Sequence, residues 1–127
     1  MRLYRDLLWE SDTLIETVWP HKKMAKIFGD EELASFNAKR IKHKIRVRTI
    51  WPQDSKPKTI DVWQGGDWGV ERRVAPKGYD FDMQYSIYGD KVAFMSSESE
   101  LFGFTVASSE FAALMRMQFR ALWAISR

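Results

Sequence analysis

The sequence predicts an α/β domain: a mixed β-sheet flanked by helices on both faces, ending in an antiparallel β-meander and a closing helix. Three observations predict it. A strand, a helix and a strand follow one another between Thr13 and Trp51. The run from Phe81 to Tyr88 alternates apolar and polar residues with the period of two that a strand requires, and Gly89-Asp90 follows it as a two-residue turn. From Phe111 to Trp123 apolar residues recur at i, i+3 and i+4, the rhythm of a helix. At 127 residues, 45% hydrophobic and 14% aromatic, the chain reads as a single folded domain over residues 1–127.

Taken in order, residues 3–9 suit a short helix with Leu3, Leu7 and Leu8 on one side. Thr13 to Trp19 is a strand ended by Pro20, and His21 to Phe28 a helical turn stopped by Gly29. Asp30 suits a helix N-cap, with Glu31 and Glu32 in the first turn. This helix should reach about His43, with Leu33, Phe36 and Ile41 facing inward and Lys39, Arg40, Lys42 and Lys44 at its negative end. Ile45 to Trp51 is the next strand, in which Ile45, Val47 and Thr49 alternate with Arg46 and Arg48. Strand, helix and strand in this order imply a right-handed βαβ unit with parallel strands.

Pro52 to Lys58 is a polar loop, and Trp63 and Trp68 bracket Gly65-Gly66-Asp67 in a segment that suits a short helix and a turn but has no assigned role. Glu71 to Ala75 is a strand ended by Pro76. In the meander, Phe81, Met83, Tyr85 and Ile87 form the apolar face of the first strand, Val92 to Ser96 returns, and Leu101 to Ala107 is the third strand. Ser108 or Ser109 caps the closing helix, and Glu110 complements its dipole. Its inward stripe reads Phe111, Leu114, Met115, Gln118, Phe119, Leu122 and Trp123. Ala113, Met117 and Ala121 lie outside that stripe and are also apolar, which implies cover on a second side, by the sheet or by a partner chain.

Composition removes whole classes of chemistry. Without Cys there is no disulfide, thiolate nucleophile or Cys-ligated zinc. No apolar run reaches the ~18 residues of a membrane span, and MRLYRDLLWESD lacks the apolar centre of a signal peptide. The expected location is therefore the cytoplasm, with no membrane partner. A net charge of +3 is compatible with nucleic acid without specifying it. No His, Asp or Glu set has metal-ligand spacing, and no cofactor is expected. Gly65-Gly66-Asp67 fits neither a phosphate-binding loop nor a dinucleotide fingerprint.

The remaining candidates are few. Lys39, Arg40, Lys42, Lys44, Arg46 and Arg48 form a basic run that suits either phosphate contact or a solvated helix end and strand face. No aromatic residue interleaves with those charges to stack bases. His21 and Lys23 form an H-x-K pair, but the acid that a phosphodiesterase motif needs at position 28 is Phe28, and Asp30 comes two residues late. His43 reads as a helix cap. Asp80 and Asp82 share a strand face near Lys77, and Glu98 and Glu100 fall in a turn, so neither pair is a convincing acid–base couple.

The block IYGDKVAFMSSESELFGFTVASSEFAALMRMQFRALW resembles the phospholipase D-like domain of TrmB-type transcriptional regulators. DEELASFNAKRIKHKIRVRTIWP is similar to the family's helix that ends in a basic run and leads into a strand, and ERRVAPKGYDF to its following segment. The resemblance implies a phospholipase D-like sheet. In active enzymes of that fold the strand before this turn carries H-x-K-x(4)-D. With Asp90 at the terminal Asp, Met83 stands at the His position and Tyr85 at the Lys position. A thioether is no nucleophile here and a phenol no phosphate-binding cation, so the resemblance implies a degenerate motif and no enzyme.

The family also implies a regulator with a winged helix ahead of a domain for effector sensing or dimerisation. There is no room for a winged helix before Tyr4, so the chain is expected to be an isolated effector domain or a stand-alone relative. The resulting expectation is a non-enzymatic regulatory domain that forms a homodimer or binds a small effector. Nucleic acid would be met through a separate domain, and Met83 and Tyr85 would pack, pair or sense. The alternatives are a nucleic-acid module using residues 39–48 and a residual phosphodiesterase or nuclease.

Overall fold

Six strands form one mixed sheet in a computed structural model that describes residues 13–55, 69–96 and 103–127. In chain order they are β1 (Leu14–Val18), β2 (Arg46–Trp51), β3 (Val70–Val74), β4 (Met83–Tyr88), β5 (Lys91–Ser96) and β6 (Gly103–Ala107). Helix α1 spans His21–Lys42 and helix α2 spans Ser109–Ile125, with a 3-10 turn at Gln53–Ser55. The order across the sheet is β3-β2-β1-β4-β5-β6. β1, β2 and β3 run parallel, β4 pairs antiparallel to β1, and the meander continues antiparallel to the β6 edge. The parallel pair around α1 is therefore as expected. The expected helix at 3–9, the Trp63–Trp68 segment, Glu98 and Glu100 lie outside the described residues.

Local chemistry explains the boundaries. Pro20 precedes α1, and Ser55 Oγ accepts the Lys22 N–H at 3.0 Å, so a hydroxyl from the 3-10 turn satisfies a free helix donor. Gly29 breaks the helical dihedrals at φ 76°, ψ 162°. Two helical segments meet there, so the expected stop at Gly29 and restart after it are as the structure has them, because only Gly adopts that backbone cheaply. Gly89 turns between β4 and β5 at φ 54°, as its two-residue loop requires. Ser108 caps α2 by accepting the Phe111 N–H at 3.2 Å.

The two helices cover opposite faces of the sheet. On one face Val18, Ile50, Ile87 and Val92 pack with Ala112 and Phe119 of α2, and Tyr85, Phe94, Phe111 and Trp123 line the cluster. On the other, Trp19, Trp51 and Met95 pack with Met24, Ile27, Phe28 and Leu33 of α1. This double cover corrects two expectations. In β4 the supposed polar face is also buried (Gln84, Ser86 and Tyr88), whereas Met83 is 37% exposed. In α2, Leu114 and Gln118 are exposed, and Ala112 with Phe119 sits at the centre of the contact. The helix is apolar over more than half its circumference, so its rhythm alone does not fix its rotation. Ala112, with its small side chain, lets the backbone approach the sheet.

Candidate functional site

β4 carries the expected motif positions, with Met83 and Tyr85 two residues apart on one strand face. Met83 opens the strand and Asp90 lies beyond its end in the turn. Five strand residues and Gly89 lie between them. Tyr85 lies between, half-buried in the α2-side cluster, its ring 6.0 Å from Phe94. Burial, with the charge of Glu16 as a second cause, pushes its phenol up to about 12. It is neutral at ordinary pH and supplies no cation for phosphate.

Beside Tyr85 is an ion cluster that sequence reading did not assemble. Glu16 of β1 is 2% exposed and faces α2. Its Oε1 accepts from Arg116 Nε at 3.1 Å and its Oε2 from Arg120 Nε at 3.4 Å. Arg116 also donates to the Gly89 carbonyl at 2.8 Å, which ties the helix to the β4–β5 turn. In the register of the sheet Glu16 is the neighbour of Arg48 on β2, and Arg48 lies 3.4 Å from Glu71 on β3. Two arginines of α2 thus hold one buried carboxylate and a third stands beside it in the sheet, a group spread across a hundred residues of sequence. The only sequence signal for it was an acid amid the apolar residues of TLIETVW and arginines on the closing helix.

The basic run of residues 39–48 is divided by the same sheet. Lys39, Lys42 and Lys44 are exposed at the end of α1 and the following turn. Arg46 and Arg48 stand at two-residue steps from the α2-facing Ile50 on β2, so they share its face and belong to the opposite side. Arg40 is not a surface contact at all. It is fully buried, donates from Nη1 to the Ile45 carbonyl at 2.9 Å, and holds the turn into β2. Burial lowers its pKa from the ordinary arginine value.

The other candidates resolve into structural roles. His21 sits in the first turn of α1, not on a strand, so it and Lys23 do not share the strand face that an H-x-K motif needs. Its ring stacks on Trp51 at 4.1 Å between centroids, and its Nδ1 accepts from Trp19 Nε1 at 3.1 Å. Lys23 pairs with Asp82, and Asp80 and Asp82 are exposed residues ahead of β4. The backbone N–H of His43 caps α1 by donating to the Ile41 and Lys39 carbonyls. Among the described residues no group of three or more His, Asp or Glu side chains is placed to hold a metal ion.

Under the α1-side face runs a row of polar side chains. Thr17 of β1 donates to the Tyr85 carbonyl at 2.7 Å and accepts from Gln84 Nε2 and Ser86 Oγ, each at 3.2 Å. Thr49, its register neighbour on β2, is equally buried, but its hydroxyl has no partner among the described residues.

In structure the chain is similar to TrmBL2, an archaeal chromatin protein whose structure shows a novel mode of DNA binding, with 16% sequence identity and a TM-score of 0.64. The match covers 99% of this chain and 48% of that one, so the chain spans about half of its neighbour's length. No protein-family model matches, and no curated protein does. Among the described residues no helix is long and apolar enough to cross a membrane. At this identity the likeness to TrmBL2 shows one thing, a shared fold.

Proposed function

We propose that the chain is a non-enzymatic regulatory domain with a phospholipase D-like fold, of the type that TrmB-like regulators use to sense an effector or to pair. The observation that carries this reading is the arrangement along β4. Met83 is an exposed thioether and Tyr85 a packed, neutral phenol where the motif has a nucleophile and a cation. Phosphoryl transfer needs a nucleophile and a cation converging on one phosphate, and this strand brings neither. The fold shared with TrmBL2 supports the regulatory reading. In it residues 1–127 act as one unit, located in the cytoplasm and working as a homodimer or with a small effector.

The test is an assay of phosphodiester hydrolysis on the wild type, on Asp90→Ala and on Met83→His/Tyr85→Lys. No turnover by the wild type is expected. Wild-type turnover that Asp90→Ala abolishes would sink the proposal. Effector binding is read separately as a ligand-dependent rise in unfolding temperature, which grows with ligand concentration.

A second reading, direct nucleic-acid binding, is favoured by one observation. Arg46 and Arg48 share a sheet face with Arg116 and Arg120, a basic group that the 39–48 run alone does not describe. In this reading Arg48→Gln and Arg120→Gln each lower the salt dependence of DNA binding by about one phosphate contact. Arg40→Gln acts only through stability. Binding that is insensitive to salt, or absent at low salt, removes this reading.

A further inference from the structure

Helix α2 crosses its face of the sheet on a diagonal. At one end the Ser108 N–H donates to the Asp90 carbonyl at 2.9 Å, beside the β4–β5 turn. At the other the Arg127 N–H donates to the Val74 carbonyl at 3.0 Å, where β3 finishes. The helix therefore leaves the starts of β2 and β3 open on that face, and Arg46 and Glu71 stand exposed there. Four elements bring charge to this corner: Arg46 and Arg48 of β2, Glu71 of β3, Glu16 of β1, and Arg116 and Arg120 of α2.

The two carboxylates do not satisfy the four cations. Arg48 meets Glu71 through Nε alone at 3.4 Å, and Arg120 meets Glu16 through Nε alone at 3.4 Å. Both contacts are longer than the about 2.7–2.9 Å of a tight charge-assisted bond, and both leave the Nη pair of the guanidinium to another oxygen. Glu16 does not supply that oxygen, because Arg116 and Arg120 already take one each of its two. Among the described residues Arg46 has no ion pair. Its stem is braced by the backbone before β3, where a Cβ on Gly69 would lie 3.1 Å from Arg46 Cγ.

We propose that this corner holds the phosphate group of a small anionic effector, between the Nη groups of Arg48 and Arg120 and with Arg46 at its open side. The proposal rests on the effector-sensing reading and names the chemical class of the effector. Guanidinium forks from separate elements suit a tetrahedral oxyanion, whose several oxygens accept from more than one direction. Four arginines against two glutamates leave an excess of two positive charges. A phosphate monoester, at about −1.5 to −2 near pH 7, matches that excess. A nucleic acid fits less well. Glu71, with its side chain 63% exposed beside Arg48, repels a continuous phosphate backbone. Trp123, further along α2, is no platform for a base, because Arg73 lies over its ring at 4.3 Å and Phe119 stacks on it at 5.8 Å. Bound at the corner, the phosphate bridges β2 and α2 and so ties the helix to the parallel half of the sheet.

Titration of the 127-residue chain with inorganic phosphate, against sodium chloride at matched ionic strength, tests the proposal. Binding is read by calorimetry and by the Nε–H magnetic resonance signals of Arg48 and Arg120. Phosphate is expected to shift both signals to saturation, and chloride is not. Arg48→Gln/Arg120→Gln should weaken phosphate binding about tenfold or more. Lys22→Gln/Lys26→Gln, at exposed lysines of α1, should leave it unchanged. The wild-type signals decide the matter even if the arginine variant fails to fold. A short duplex oligonucleotide separates the two sources of phosphate, and it should not displace inorganic phosphate from the two arginines. Equal shifts with chloride, signals that stay still, binding that survives in a folded Arg48→Gln/Arg120→Gln protein, or displacement by the duplex overturns the proposal. A chain that fails here can still respond to an effector of another class, and phosphodiester hydrolysis is measured separately, so this inference and the proposed function can fail separately.

Discussion

Thr17 and Thr49 are neighbours in the register of β1 and β2, both buried, and their hydroxyls meet different fates. Thr17 is bonded on every side by Tyr85, Gln84 and Ser86, whereas Thr49 has no partner among the described residues. An unmet buried hydroxyl costs about 1–3 kcal/mol, and a satisfied one contributes about 1 kcal/mol. Thr49→Val, nearly the same shape, should therefore raise stability by about 1 kcal/mol. Thr17→Val should lower it by about 1–2 kcal/mol, since it also leaves the Tyr85 carbonyl without its donor. Urea unfolding of the two variants decides it. Tyr85 makes a prediction in pH. Its folded pKa of about 12 lies above the ordinary 10, so the native state keeps a proton that the unfolded chain loses first. The stability this contributes is whole below pH 10 and is lost as pH rises toward 12. Tyr85→Phe should flatten that part of the stability–pH curve.

At the scale of elements, α2 is held by more than its apolar contact. Arg116 and Arg120 hold Glu16 from one side, and Arg73 donates to the Trp123 carbonyl at 2.8 Å from the other. The cluster is asymmetric, because Glu16 is buried while Arg120 is 61% exposed. Removing both arginines leaves a charge inside the protein without compensation, at about 3 kcal/mol or more. Removing the charge of Glu16 lets the arginines turn to water. Arg116→Met/Arg120→Met should therefore destabilise the fold more than Glu16→Gln, as measured by chemical denaturation. In α1 the kink is the matching test. Gly29 lies at φ 76°, ψ 162°, with open space where a Cβ would stand, so Gly29→Ala suffers backbone strain and no clash. It should cost about 1–3 kcal/mol.

On the scale of the whole molecule, the sheet changes character between β1 and β4, parallel on one side and antiparallel on the other. β1 and β4 lie at its centre, paired on both edges, and β3 and β6 are its edges. Amide hydrogen exchange should be slowest in β1, β4 and β5 and fastest in β6, whose residues are mostly exposed. Much of this layout was legible in the sequence. The α1 and α2 spans, the Ser108 cap, the Gly89 turn and the β1–β2 parallel pair all rest on chemistry within a few residues, where turn residues, caps and periodicity act. By itself the sequence determined which segments are strands and helices, that β4 lacks a nucleophile and a cation at Met83 and Tyr85, and that α2 is apolar beyond one stripe. Only the tertiary structure decided which faces those elements bury, that Arg40 is interior while Arg116 and Arg120 hold Glu16 on the face that Arg46 and Arg48 share, and that Leu114 and Met117 point outward. Periodicity records that side chains alternate between faces. What covers each face depends on segments far away in the chain, and no local pattern encodes that contact.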